Sequence, residues 1–300
     1  MIYPWLHRTF GQLISRYDAG TLHHGILFMG AKSLGKTELC ESLAASLLCQ
    51  TKPRSDSGAC GNCKSCLLLS AGSHPDLNIV IPEKTQIGID QVRSAIAKLN
   101  QTAQLSGNKV LVIPNIELMS ESASNSLLKT LEEPTANTYL LLTSNEAQKL
   151  LPTVLSRCEK ITIAAPSYQE SASWLKTQAL EIPSQEAMLA NANSPLRYLA
   201  SLSDNSQFNF SDFEKALGYL KSGQESPSRL AEVWKAEASN MSNWLAQYFL
   251  NEYKTKQDEK LFNSYQSCLE TVKLLSHPGI NKSLLLFDLL TQAQAVQKQI

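Results

Sequence analysis

Residues 30–37 carry side chains and glycines arranged to hold a phosphate. They read Gly-Ala-Lys-Ser-Leu-Gly-Lys-Thr and fit the complete pattern G-x-x-x-x-G-K-[ST], placed between a β-like run and a helical stretch. In such a loop Gly30 and Gly35 allow backbone N–H groups to face the phosphate. Lys36 then reaches the β and γ oxygens, and Thr37 can coordinate Mg²⁺. The segment predicts a site for ATP and Mg²⁺.

The strand that should complete a hydrolytic site departs from that pattern. Turnover needs an acidic residue after a later strand to hold Mg²⁺, and a group that positions the attacking water. Pro114 and Asn115 stand where an acidic pair would follow the apolar run 110–113. Glu117 either compensates from two residues further along or is an ordinary solvated surface residue. We therefore expect nucleotide binding with poor autonomous hydrolysis, and whether the chain is an enzyme stays open.

A second segment contains four cysteines within residues 49–66. Cys49, Cys60, Cys63 and Cys66 have the spacing C-x₁₀-C-x₂-C-x₂-C. Four thiolates suit a closed tetrahedral Zn²⁺ site, which stabilises a loop and has no open position for catalysis. An iron–sulfur cluster or four unliganded thiols are the alternatives. The other three cysteines are predicted to be buried core residues, namely Cys40, Cys158 and Cys268.

Composition excludes several classes of protein. The 300 residues include 27 Lys and Arg against 27 Asp and Glu, which argues against a strongly basic nucleic-acid-binding surface. No apolar run approaches the roughly 18 residues that a membrane helix needs. The N-terminus shows no basic start followed by an apolar stretch, so no secretory signal is visible and a cytoplasmic location is expected.

The elements that must position these residues alternate through the first half of the chain. Short β-like runs occupy residues 26–29, 77–81, 109–113, 139–142 and 160–163. Helical periodicity occupies residues 37–48, 89–100 and 123–131. This alternation predicts an α/β fold whose parallel sheet is covered on both faces. After Pro166 the strand signals cease, and the remainder is predicted to be helical with a polar linker at 201–207.

Two further segments carry a family resemblance. Residues 124–134 read Ser-Asn-Ser-Leu-Leu-Lys-Thr-Leu-Glu-Glu-Pro, and residues 155–158 read Leu-Ser-Arg-Cys. They closely resemble the NALLKTLEEP segment and the SRC motif of clamp-loader subunits of the AAA+ class. The N-terminal Tyr-Pro-Trp-Leu at 3–6, the pair His23-His24 and the four-cysteine segment also agree with this family. The resemblance covers residues 1 to about 200 and beyond 208 rests on helical character and position.

The resemblance implies three domains. A RecA-like AAA+ domain with a parallel sheet would span residues 1–165, with the four-cysteine module inserted at 49–66. A small helical lid would follow at 166–205, and an all-α helical collar at 206–300 would hold a five-subunit ring together.

The resemblance also implies a function and partners. The chain would be the non-motor stator subunit of the DNA polymerase III clamp loader, which loads the sliding clamp onto primed DNA during replication. Its neighbours in the hetero-pentameric ring would be the gamma/tau and delta subunits. Arg157, in the SRC match, would complete the nucleotide site of a neighbouring subunit. The alternative is a surface arginine paired with a carboxylate such as Glu159.

Other interpretations remain open from the sequence alone. Arg197 either corresponds to a lid arginine that senses nucleotide in related motor subunits or is an ordinary surface residue. The complete phosphate loop also suits a motor-type ATPase similar to gamma/tau, although Pro114 and Asn115 oppose it. A zinc-dependent nucleic-acid binding module is the third class, supported only by the cysteines.

Overall fold

The computed structural model describes most of the chain. The described residues are 2–51, 58–105, 107–180, 182–203, 210–275, 277 and 279–295. They fall into two compact units, residues 1–170 and 171–300. Part of the inserted cysteine module, residues 52–57, and the predicted lid–collar boundary at 205 lie outside the described residues. No helix in the described ranges has the length and apolar character required to span a bilayer.

The first unit is built on a parallel sheet of five strands in the order β2-β3-β4-β1-β5. The strands are β1 (Gly25–Met29), β2 (Leu77–Ile79), β3 (Lys109–Ile113), β4 (Thr138–Ser144) and β5 (Glu159–Thr162). The helices of this unit are α1 (His7–Asp18), α2 (Lys36–Leu48), α3 (Lys64–Ser70), α4 (Ile89–Leu99), α5 (Glu121–Glu132) and α6 (Pro152–Leu155).

Successive side chains of the central strands enter two different cores because a strand alternates its faces. Ile26 and Phe28 of β1 pack in the cluster that contains α1 and α2, whereas Leu27 packs in the cluster that contains α4 and α5. All three side chains are fully buried. Helices on both faces explain why these strands are apolar without alternation, since both faces are removed from water.

The predicted strands and helices of this unit are confirmed. Each of the five strands forms; β2 ends at Ile79 rather than 81, and β4 extends to Ser144 rather than 142. Val80 still donates its N–H to Val112 O at 2.9 Å, so the pairing fades gradually. Cys40 and Cys158 are buried, as predicted.

The chain after residue 167 forms only helices among its described residues. They are α7 (Tyr168–Thr177), α8 (Gln185–Ala190), α9 (Pro195–Ser203), α10 (Phe210–Lys221), α11 (Pro227–Trp234), α12 (Ala238–Lys256), α13 (Glu259–Leu274) and α14 (Lys282–Ala295). Ser167 caps α7, because Glu170 N donates to its hydroxyl at 3.2 Å while the Glu170 carboxylate accepts from Ser167 N at 2.8 Å.

One apolar core joins α8 and α10 to α14 of the second unit. It includes Ala190 of α8, Trp244 of α12 and the predicted core residue Cys268 of α13. The Trp244 indole N–H donates to Ala190 O at 3.0 Å, which satisfies a polar group inside that core. The division of this unit into lid and collar stays a prediction.

Candidate functional site

The phosphate-loop segment lies between β1 and α2, at the carboxyl end of a central strand. Both glycines are required by close packing. A Cβ on Gly30 would collide with Ile163 O, and one on Gly35 would lie 2.5 Å from a carbon of the Tyr3 ring. Gly35 also has φ +83°, a left-handed conformation that favours glycine.

The N-terminal residues fix the far side of this loop. The Trp5 indole N–H donates to Leu34 O at 3.0 Å, and the rings of Tyr3 and Trp5 stack with centroids 5.0 Å apart. Burial, aided by the nearby Glu38 carboxylate, raises the pKa of the Tyr3 phenol, so it stays neutral. No motif indicated that this segment would support the loop.

Lys36 is buried inside the loop, with 4% of its surface exposed. Its Nζ donates to Gly30 O at 2.9 Å, Ala31 O at 2.5 Å and Asn145 Oδ1 at 2.8 Å. Burial lowers the pKa of Lys36, and the Glu117 carboxylate partly opposes that shift. Thr37 follows in the first turn of α2 and is half-buried. The four loop residues predicted to bind nucleotide therefore lie on one continuous strand–loop–helix segment.

Asn145, directly after β4, connects Lys36 to a carboxylate. Its Nδ2 donates to Asn115 Oδ1 at 2.6 Å and to Glu117 Oε1 at 3.1 Å. Its backbone N–H donates to the same Glu117 oxygen at 3.0 Å. Glu117 Oε2 is buried and has no hydrogen-bond partner among the described residues. Glu117 is half-buried, so its interpretation as a solvated surface residue was wrong.

The backbone after β3 explains how Glu117 reaches this position. Asn115 adopts φ +53°, a left-handed conformation that asparagine tolerates better than most residues. Its N–H donates to Thr143 Oγ1 at 3.0 Å. A 3₁₀ turn, Ile116–Leu118, follows at once and carries Glu117. The carboxylate thus comes from the turn and not from the two residues directly after the strand.

The four predicted cysteines converge, with their sulfur atoms all within 4.8 Å of one another. The Sγ atoms of Cys49 and Cys63 are 4.0 Å apart, those of Cys60 and Cys66 are 3.9 Å apart, and those of Cys49 and Cys66 are 3.7 Å apart. Tetrahedral Zn²⁺ with Zn–S bonds of about 2.3 Å holds its sulfurs roughly 3.8 Å apart. The cluster is therefore compatible with one Zn²⁺.

The thiols of this cluster have very different acidities. Hydrogen bonds from the Thr51 hydroxyl and from the backbone N–H groups of Asn62 and Cys63 lower the pKa of Cys60 to about 6. Burial, followed by the Cys63 side chain, raises the pKa of Cys66 to about 12. Without a cation the buried thiol therefore stays protonated beside an ionised neighbour, and a divalent cation favours full ionisation of all four.

A buried polar group connects this cluster to the end of α2 and to the segment before β2. Ser65, between two of the cysteines, donates its hydroxyl to Leu48 O at 2.5 Å and contacts His74 Nε2 at 2.7 Å. His74 Nδ1 accepts from Asp76 N at 3.1 Å, which leaves Nε2 as the protonated nitrogen of a neutral ring. Burial lowers the pKa of His74, partly offset by Asp76.

Arg157 lies at the amino end of the strands, whereas the phosphate loop lies at their carboxyl end. It precedes β5, and Arg157 O lies 3.5 Å from the position that a Cβ on Gly25 would take, at the start of β1. The loop begins five residues later, at Gly30, which corresponds to roughly 16 Å along an extended strand. The Arg157 side chain therefore does not lie over the phosphate loop of its own chain.

The guanidinium of Arg157 is held by Glu132 at the end of α5. Arg157 Nε donates to Glu132 Oε1 at 2.6 Å, Nη2 forms an ion pair with the same oxygen, and Nη1 donates to Thr153 O at 2.9 Å. The expected alternative partner, Glu159, instead forms an ion pair with Arg16. Hydrogen bonding from Arg16 lowers the pKa of the Glu159 carboxyl.

Arg197 lies in α9 of the second unit, and its side chain is partly shielded from solvent. Its Nη2 donates to Asn240 Oδ1 at 2.7 Å, which connects α9 to α12. Burial lowers the pKa of the guanidinium. Arg197 is half-buried, and a nucleotide-sensing role for it stays a prediction.

Comparison with known proteins relates this arrangement to a family. The family model described as "DNA polymerase III, delta subunit" matches residues 5–167. The chain is 34% identical to DNA polymerase III subunit delta' of Escherichia coli (strain K12), with 97% of this chain and 95% of that protein covered. This chain belongs to the DNA polymerase III delta' subunit family. The delta' protein of Pseudomonas aeruginosa is 35% identical, with 86% of this chain and 80% of that protein covered.

A solved structure was also similar. It is a DNA polymerase III gamma subunit-related protein from Thermotoga maritima, 18% identical, with 97% of this chain and 99% of that chain covered at a TM-score of 0.48. The parallel sheet with helices on both faces, and the helical segments after it, confirm the predicted α/β fold class followed by helical segments.

Proposed function

We propose that this chain acts as the stator of the DNA polymerase III clamp loader and supplies Arg157 to the nucleotide of a neighbouring subunit. The observation that supports this role most directly is the separation of Arg157 from Lys36. They lie at opposite ends of the strands of one parallel sheet, Arg157 at the amino end and Lys36 beyond the carboxyl end. A guanidinium at the amino end of the strands is available to a second subunit but not to the phosphate loop of the same chain.

The partners are proposed on the basis of family membership. The gamma/tau and delta subunits would complete a hetero-pentameric ring with this chain, through a collar formed by residues 206–300. The sliding clamp and primed DNA would be met through the assembled complex, in the cytoplasm. A balanced charge of 27 basic and 27 acidic residues supports indirect DNA contact, because a protein that binds DNA alone usually presents a basic surface.

ATP with Mg²⁺ is proposed to bind at Gly30, Gly35, Lys36 and Thr37. The residues fit a nucleotide, since Lys36 is held at the loop by three acceptors that a phosphate could replace, and a buried carboxylate oxygen on Glu117 lacks a partner among the described residues. Bound Mg²⁺ would neutralise charge on the phosphates. Lys36 would contact the β and γ oxygens, and the Thr37 hydroxyl would face the metal.

Hydrolysis by the chain alone is expected to be slow. Pro114 offers no ligand, and the Asn115 side chain is an amide already bonded to Asn145, so neither residue can act as a base toward water. A single carboxylate at Glu117 leaves the metal role and the water role to one group. The four cysteines are proposed to hold a structural Zn²⁺ that stabilises the insertion.

Steady-state phosphate release from the purified chain separates the stator from a motor-type ATPase. The stator role predicts nucleotide binding with turnover well below about 1 s⁻¹, the lower end of ordinary enzymes. Turnover at or above that rate would instead support the hypothesis of a motor-type ATPase. Salt-sensitive DNA binding by the isolated chain would instead support the zinc-dependent nucleic-acid module.

A further inference from the structure

We propose that Glu117 supplies the carboxylate for the Mg²⁺ of a bound nucleotide, in place of the acidic pair that is missing directly after β3. This inference rests on the proposed binding of nucleotide by residues 30–37. It assigns a role to a residue that lies outside the loop motif and two positions beyond the expected acidic site.

The placement of the carboxylate carries the argument. Two N–H groups of Asn145 fix Glu117 Oε1, at 3.0 and 3.1 Å. The side-chain oxygen of the same Asn145 accepts from Lys36 Nζ at 2.8 Å. Glu117 is therefore two hydrogen bonds from the lysine that meets the phosphates, and its orientation is set by the residue that also orients that lysine.

The second oxygen of Glu117 has unused hydrogen-bonding capacity. Oε2 is buried and has no hydrogen-bond partner among the described residues. A buried anionic oxygen without a donor is destabilising unless a cation or a hydrogen-bond donor completes it. Mg²⁺ and its bound waters are such partners, because Mg²⁺ at nucleotide sites takes one or two carboxylates and keeps several waters.

The electrostatics agree with that placement. The Glu117 carboxylate opposes the loss of basicity that burial imposes on Lys36, which shows that the two charges lie close enough to interact. When nucleotide phosphates attract Lys36, the carboxylate would lose part of this compensating charge. A divalent cation held by Glu117 would restore that charge.

A purely structural role for Glu117 makes a different prediction. Glu117 also lines a cavity of about 150 Å³ with Glu121, Leu127 and Leu150. If it only fastened the segment after β4 by accepting from Asn145, Glu117→Gln would preserve function, because an amide oxygen accepts the same two hydrogen bonds. The charge of Glu117 matters only if a cation is its partner.

Calorimetric titration of ATP into the full chain, with Mg²⁺ or with EDTA, distinguishes these roles. We expect Mg²⁺ to tighten binding by the parent chain at least about tenfold, the effect of one charge-assisted contact, and Glu117→Gln to remove most of that gain. In EDTA, the ATP affinity of Glu117→Gln should differ from that of the parent by less than about twofold. Glu121→Gln, an exposed carboxylate on the same cavity, serves as the control and should keep the gain.

Each contrary result overturns a different statement. No binding by the parent chain in either buffer would refute the proposed nucleotide site itself. Binding by the parent with no Mg²⁺ dependence, or an undiminished dependence in Glu117→Gln, would refute the role of Glu117 alone. An equal loss of affinity with and without Mg²⁺ in that variant would also refute it, because the charge of Glu117 would then support the loop independently of the cation.

Discussion

Arg157 and Glu132 form a two-point contact between the segment before β5 and the end of α5. Arg157 Nε donates to Glu132 Oε1 at 2.6 Å, and Nη2 pairs with the same carboxylate oxygen. Both side chains are substantially exposed, 32% and 47%, so the pair adds little to stability. Its effect is orientation, because Thr153 O accepts from the remaining Nη1 and the planar guanidinium is held on two sides.

The first prediction concerns Glu132 as a positioning residue. In an assembled loader, Glu132→Ala should lower ATPase activity by about three- to tenfold, which corresponds to about 1 kcal/mol of lost orientation. Glu132→Gln, which can still accept a hydrogen bond, should recover part of it. Thermal unfolding of both variants should match the parent. An unchanged rate for Glu132→Ala would show that Arg157 needs no partner within its own chain.

Lys36→Met tests the phosphate loop. The side chain is nearly isosteric but leaves three acceptors unpaired, so the free energy of unfolding should fall by about 1–3 kcal/mol. ATP binding should be lost in calorimetry. The exposed Lys32 in the same loop provides the matched control, and Lys32→Met should retain both stability and binding. Retained affinity in Lys36→Met would place the nucleotide elsewhere or nowhere on this chain.

The cysteine cluster predicts one Zn²⁺ per chain. Elemental analysis of protein purified without chelators should find it, and Cys63→Ser should lower the metal content and loosen the segment that ends at Cys66. Chelation should lower the melting temperature of the parent. The control variant Cys268→Ala changes a cysteine in the core of the second unit, and this protein should retain one Zn²⁺ per chain. Metal-free parent protein would contradict the assignment.

His74 predicts a pH dependence of stability. Burial lowers its pKa in the folded chain, so below the ordinary value of about 6.5 the unfolded chain binds more protons than the folded one. The stabilisation is complete above that value and is lost as the pH falls through the lowered folded pKa. Urea unfolding from pH 7.5 to 5 should show a shallower fall for His74→Gln than for the parent. The exposed His7→Gln should behave as the parent. Equal slopes for all three would contradict this role.

Much of the fold was predictable because its signals are local. The apolar runs of β1 and β3 and the periodicity of α5 lie within single segments. The four-cysteine spacing was also sufficient to predict convergence, since ligands of one ion must lie together. Residue type and separation along the chain therefore determined these features.

The rest depends on contacts between distant segments. Asn145 belongs to none of the motifs that the sequence analysis used. Its role arises because β4 lies between β3 and β1 in the sheet, which brings residue 145 near both Lys36 and Glu117. From the sequence alone, Glu117 cannot be distinguished from a surface glutamate. In the structure, the left-handed conformation of Asn115 directs it inward. Both partnerships require the strand order, which one sequence does not specify.

The central claim is that Arg157 acts on a neighbour's nucleotide, and ATP hydrolysis by a loader reconstituted with clamp and primed DNA tests it most directly. Arginine fingers contribute on the order of 10³–10⁵ in rate, so Arg157→Ala should nearly silence the site facing this subunit. Arg157→Lys should rescue it poorly, because an ammonium lacks the planar fork. Both Arg157 variants should fold and keep their zinc. As a control, a loader containing Arg16→Ala, which loses the ion pair with Glu159 at the start of β5, should hydrolyse ATP at the parent rate. A loader containing Arg157→Ala that hydrolyses ATP and loads clamps as fast as the parent would contradict the account.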